Sequence, residues 1–190
     1  MSKRIKIESI KVKAIYDSMP DISFLGEYTD DLRPGVIVRA HGEFYEKLPA
    51  PMERDIDGRF IGKGEPYDIP VRGREYRGFI PYAGGEPQGS REYYRYGLED
   101  WKRMQGLEKG DWHFIGIRAE ATVKYKTNMR HYRLEKFTSG GLWGIESDAG
   151  DYLEEVKGGE LSDLKCHLEI FNVDTSGWQE AVKDIELEWD

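Results

Sequence analysis

The sequence predicts an α+β fold: an antiparallel sheet packed by two to three helices, with a long irregular Pro/Gly-rich insertion. Three observations carry this. From Ile115 to Tyr125 the odd positions read Ile, Ile, Ala, Ala, Val, Tyr and the even ones Gly, Arg, Glu, Thr, Lys, the period-two alternation of a strand with one face on a core. Leu98, Trp101, Met104 (or Gln105) and Leu107 before it, and Leu153, Val156, Leu161, Leu164, Leu168 and Phe171 after it, recur at the spacing of one helix face. Between Leu48 and Gly89 lie six of the eight prolines and glycines at 58, 62, 64, 73, 78, 84, 85 and 89, with no period at all.

The chain opens with a strand over Lys3 to Asp17. Ile5 and Ile7 share one parity and Ile10, Val12, Ala14 and Tyr16 the other, so a bulge near Glu8 and Ser9 reconciles them. Ser18 to Gly35 reads as a loop pinned by Phe24, Leu25 and Tyr28, and Val36 to Tyr45 as a strand weakened by Gly42. A structureless insertion as long as 48–89 is disfavoured in a compact domain, so short strands are expected at Arg59 to Ile61 and Ile69 to Ile80, the second of edge type because of Pro70 and its glycines.

Ser90 stands as the N-cap of the first helix and Gly110 as its stop. The central strand follows, then a second strand, Tyr132 to Phe137, returning as a hairpin around Met129 and Arg130. Gly140 to Asp148 reads as a short buried strand passing close to other backbone and ending at Ser147 or Asp148 as an N-cap. One helix is expected across Asp151 to Phe171, with Gly158 and Gly159 costing about 1 kcal/mol each against alanine and marking a site where it can break. Ser176 to Trp189 places Trp178, Ala181, Val182, Ile185 and Trp189 on one face and acids on the other, an amphipathic closing helix or a docking segment.

A length of 190 residues suits one domain over 1–190, divided into a strand- and loop-rich part (1–89), a helix, hairpin and helix core (90–171) and an acidic amphipathic tail (172–190). A domain of that size buries roughly 70% of its unfolded surface. Cys166 is the only cysteine, which fits a reducing compartment. The first residues lack the apolar run of a signal peptide and no stretch reaches the length of a membrane span, so a cytoplasmic chain without membrane contact is expected. The net charge of −8 is uneven: Glu146 to Asp190 holds 14 Asp and Glu against three Lys, and the preceding residues carry +3. That split makes one end repel nucleic acid and attract a basic partner, or it is a solvated helical surface.

No catalytic set assembles in the sequence. His41, His113, His131 and His167 are not paired at ligand spacing, and neither HExxH nor CxxC occurs. No cofactor is expected. Glu146, Asp148, Asp151, Glu154 and Glu155 cluster where a helix starts and are read as capping groups, while Glu120, Glu146 and Asp148 together are the one conceivable divalent-ion set, for a metal-dependent hydrolase or nuclease. Gly84 to Ser90 lacks the Lys and Ser/Thr of a phosphate loop and reads as a turn with an N-cap. From Val71 to Arg103 seven basic residues interleave with tyrosines against five acids. This is the composition of amphipathic surface, of a protein interface or of a single-stranded nucleic-acid surface. Arg72, Arg74, Tyr76, Arg77, Tyr93, Tyr94, Arg95, Trp178 and Trp189 are the candidate partner-binding residues.

Lys109 to Ala121 (KGDWHFIGIRAEA) and Gly140 to Asp148 (GGLWGIESD) resemble segments shared by small proteins of bacteriophages and integrated mobile elements, over about 90–171. Gly158 and Gly159 depart from the uninterrupted charged helix of that group. The resemblance implies a genomic setting and no activity. It raises the expectation of a non-enzymatic accessory protein that binds a host protein or nucleoprotein complex, such as an inhibitor of a restriction or CRISPR system.

Overall fold

A computed structural model describes residues 5–31, 36–37, 53–54, 60–61, 69–71, 74–76, 78–126 and 131–190, with backbone only at 53–54, 60–61, 69–71, 74–76 and 126. In chain order the elements are β1 (Ile5–Tyr16), β2 (Gly26–Thr29), β3 (Glu53–Arg54), β4 (Phe60–Ile61), β5 (Ile69–Val71), β6 (Arg74–Tyr76), β7 (Gly78–Pro81), a 3-10 turn (Ala83–Gly85), α1 (Arg91–Lys109), β8 (Phe114–Lys126), β9 (Tyr132–Thr138), β10 (Leu142–Glu146), α2 (Tyr152–Ile170), α3 (Trp178–Val182) and β11 (Leu187–Trp189). The fold is α+β. Two compact units divide it, one formed by Met1–Pro20 with His113–Asp190 and the other by Asp21–Trp112.

The first unit is organised around β8. Its antiparallel partner β1 runs from Ile5 opposite Tyr125 to Tyr16 opposite Ile115, and the register shifts between Ile7 and Ser9, where the change of parity requires a bulge. The other edge of β8 is shared: β9 covers Glu120 to Lys126 and β10 covers Phe114 to Ile117. Ile115, Ile117, Ala119, Ala121 and Val123 are all buried on one face of β8, together with Val12 and Ala14 of β1. Against that face α2 sets Val156, Leu161, Leu164 and Leu168, spaced by three to five residues. The alanines leave room for the helix to approach the sheet. Removing the Leu164 side chain, which is fully buried, should cost about 2–5 kcal/mol.

In the second unit α1 begins at Ser90, whose Oγ accepts the Tyr93 N–H at 3.0 Å, and ends at Gly110 with φ 78°, a left-handed conformation that suits glycine. Tyr93, Gly97, Trp101 and Met104 form its buried stripe. A Cβ on Gly97 would lie 2.7 Å from both Ile37 Cδ1 and Pro81 Cγ, so this glycine lets the helix pack closely on the strand bearing Pro81. β7 pairs with β2, and Ile37 exchanges hydrogen bonds with Phe79 on the other side of β7.

Several expectations change. The sheet of the first unit is not wholly antiparallel, because β11 runs parallel to β1. The loop expected over 18–35 contains β2, and the edge strand expected over 69–80 is divided into β5, β6 and β7, with β5 and β6 paired to each other. Of the strand expected at 36–45, only Val36 and Ile37 fall among the described residues, and the tip of the β8–β9 hairpin, Met129 and Arg130, lies outside them. Most of the Pro/Gly-rich insertion before residue 78 lies outside them too.

The segment 140–148 is not a buried strand. Only Ile145 is buried, while Leu142 and Trp143 are exposed, since Gly141 and Gly144 take positive φ and the ladder to β8 shifts between Leu142 and Ile145. Neither Ser147 nor Asp148 caps α2; its N-cap is Asp151, which makes no side-chain capping bond, and Ser147 Oγ instead accepts the His113 N–H at 3.0 Å. α2 continues unbroken through Gly158 and Gly159. The expected closing helix is only the five-residue α3, after which the chain becomes β11. Ile185 to Asp190 alternates apolar and acidic residues strictly, and that strand signal prevails over the helical spacing from Trp178 to Ile185.

Candidate macromolecule-binding face

The face of the first unit's sheet opposite α2 is built from the even positions of β8 and their neighbours. Alternation along β8 directs Arg118, Glu120, Thr122 and Lys124 away from the core. The register places Lys13 beside Arg118, Lys11 beside Glu120, and on the other side Lys136 beside Thr122 and Leu134 beside Lys124.

Most of the cations here have carboxylate neighbours. Lys11 pairs with Glu188 at 2.9 Å, Lys13 with Asp190 at 2.8 Å, Arg118 with Glu120 at 3.0 Å and Lys124 with Glu8 at 3.7 Å. The hydrogen bond and charge of Asp190 hold the Lys13 ammonium above its ordinary pKa. Such exposed pairs contribute little stability singly, because water and salt screen them. Their consequence is electrostatic: the C-terminal strand covers two lysines of β1 with acids. Lys124 also lies over the Tyr132 ring, with its Nζ 4.6 Å from the centroid.

Trp143 supplies the large apolar group of this face. Its ring lies against Gly116, where any Cβ would run into the indole, and its Nε1 is 3.1 Å from where a Cβ on Gly141 would stand. Glycine in mid-strand thus makes a seat for an aromatic side chain. Trp143 as a whole remains 45% exposed, so one surface of it is fixed and the rest faces solvent. Sequence reasoning missed this pair. Its signal was an isolated glycine in a strand pattern together with a Gly-Gly-Leu-Trp-Gly run.

Of the candidate residues named from sequence, Tyr93, Tyr94 and Arg95 are on α1 in the second unit and Trp178 and Trp189 are in the first. Arg72 and Arg77 lie outside the described residues, and of Arg74 and Tyr76 only the backbone, in β6, is described. Tyr93, in the buried stripe of α1, is 3% exposed, and that burial raises its phenol pKa. Tyr94 packs edge-on against Tyr93 at 5.6 Å, and Arg95 is exposed above the Tyr96 ring at 4.4 Å. Trp178 is in the hydrophobic core of the first unit at 4% exposure, whereas Trp189, on β11, is 55% exposed.

Glu120, Glu146 and Asp148 do not converge. Glu146 stands opposite Phe114, and Glu120 lies six residues farther along β8 and is engaged by Arg118. Six strand residues span about 20 Å. Among the described residues no group of three or more His, Cys, Asp and Glu is disposed to hold a metal ion. The acids expected to cap α2 contribute through the helix dipole instead, with Glu154 and Glu155 in its first turn. His113 is half-buried with its ring 5.8 Å from that of Tyr16, His167 Nδ1 lies 3.1 Å from the Thr138 carbonyl, and Cys166 is an exposed free thiol.

Among the described residues no helix is long and apolar enough to cross a membrane. Comparison with protein-family models, curated proteins and solved structures finds no match for this chain.

Proposed function

We propose that this chain is a non-enzymatic accessory protein that binds a protein or nucleoprotein complex on the outer face of its five-stranded sheet, with Trp143 as the anchor. The observation carrying this reading is the exposed indole seated on Gly116. A pre-positioned tryptophan loses little side-chain freedom on binding and is the residue type most enriched among energetic hot spots. Lysines paired with carboxylates elsewhere on the same sheet face suit a protein surface of mixed charge, whereas a polyphosphate backbone favours cations without interspersed acids. The resemblance of 109–121 and 140–148 to phage and mobile-element proteins supports a host partner, with inhibition of a defence complex such as a restriction or CRISPR assembly as the outcome.

The test is capture from a bacterial host lysate at stringent salt. Wild-type protein should retain a discrete partner and Trp143→Ala should lose it, by about 30-fold or more in affinity for a hot-spot tryptophan. Equal retention by the two proteins would reject this face. A second reading has its own support, since an exposed aromatic residue and lysines on one sheet face also suit single-stranded nucleic acid. Salt-sensitive retention on single-stranded DNA that depends on Trp143 would establish it in place of the first.

A further inference from the structure

The outer edge of β9 offers a second interaction surface. Among the described residues β9 pairs only with β8. The Ser139 N–H donates to the Ala119 carbonyl at 3.0 Å, which fixes the ladder's phase: residues 133, 135 and 137 direct their backbone groups to β8. Tyr132, Leu134, Lys136 and Thr138 therefore direct their N–H and C=O groups away from the sheet. Leu134 is 62% exposed and Tyr132 56% exposed.

An edge of this kind accepts an added strand, and its charges restrict which one. We propose that the occupant is the β9 of a second copy of this chain, paired antiparallel about a two-fold axis through Leu134. That register sets Leu134 opposite Leu134, Arg133 opposite Glu135 twice, and Tyr132 opposite Lys136 twice. Every cross-strand pair is then apolar, oppositely charged or cation on aromatic. Three of the neighbouring two-fold registers fail on the same criterion, since an axis at Arg133, Glu135 or Lys136 puts a charge directly opposite its own copy. The in-strand Arg133–Glu135 ion pair, at 2.8 Å, already holds both side chains on one side of the strand. A symmetric pairing of this kind is isologous and closes as a dimer, joining the two five-stranded sheets into one.

Sedimentation across a concentration series tests this with the full-length chain. Wild type should pass from 22.0 kDa to twice that mass as concentration rises. Arg133→Glu and Glu135→Arg should each weaken the dimer by about ten-fold or more, because each creates two like-charge pairs, and the double variant R133E/E135R should restore it. Leu134→Lys, at an exposed position, should likewise give monomer with unchanged far-ultraviolet circular dichroism. A chain monomeric up to its solubility limit, or a dimer indifferent to R133E and L134K, would overturn the proposal.

Discussion

Asp100, on α1, accepts the Ala83 N–H at 2.6 Å and so ties the 3-10 turn to the helix. Burial is the larger influence on its carboxyl and raises the pKa above 3.8, against the opposing pull of that hydrogen bond. A carboxyl whose folded pKa is raised stabilises the fold when protonated. That contribution is fully present below the unfolded value and is lost as pH rises through the higher folded value. Asp100→Asn retains an oxygen acceptor and removes the charge, so it should unfold at higher urea than wild type at neutral pH, with the gap closing as the buffer is acidified through the folded pKa. A variant weaker than wild type at neutral pH, with the deficit fading on acidification, would show instead that carboxylate hydrogen bonding outweighs burial. Residue identity alone does not reveal such environments. Trp178 and Trp189 read alike as sequence, yet one is in the core and the other is exposed on β11, because exposure depends on which distant elements cover a side chain.

Among elements, those with a strong local signal were legible. β8 and β1 follow from alternation, including the bulge, and α1 follows from Ser90, its apolar stripe and Gly110. β11 was not, because a three-residue strand exists only through its parallel ladder to β1, a partner more than 170 positions away. The helical spacing just before it competed with the alternation. α2 offers the converse case, since its two glycines suggested a break that packing overrides: Val156, Glu160, Leu161 and Leu164 hold both sides of the doublet, and buried Glu160 accepts the Gly141 N–H at 3.0 Å. A Cβ on Gly158 or Gly159 would meet nothing within 4 Å, and neither takes positive φ. Gly158→Ala and Gly159→Ala should therefore each stabilise the protein by about 0.5–1 kcal/mol, seen as a higher urea midpoint with unchanged slope. A lower midpoint would mean that the open side of α2 is covered.

For the whole molecule, charge distribution matters more than net charge. The sequence places its acid at the C-terminal end, and composition alone represents this as a separate acidic surface. Folding carries Glu188 and Asp190 back onto β1, where they neutralise Lys11 and Lys13 of the opposite charge domain. The sheet face that bears Trp143 is thus less basic than its own strands imply, through a contact invisible to any local window of sequence. Glu188→Gln with Asp190→Asn removes two negative charges from a total of −8 and leaves the β1–β11 ladder, made of backbone bonds, in place. If these acids screen the face, the double variant should be retained more strongly than wild type on single-stranded DNA or heparin, with a steeper decline as salt rises. The same two changes on the exposed side of α2, at Glu154 and Glu155, should have less effect, since they alter net charge equally on the other side of the sheet. Equal gains from both variants would show that bulk charge governs binding and that the strand's return to β1 has no part in it.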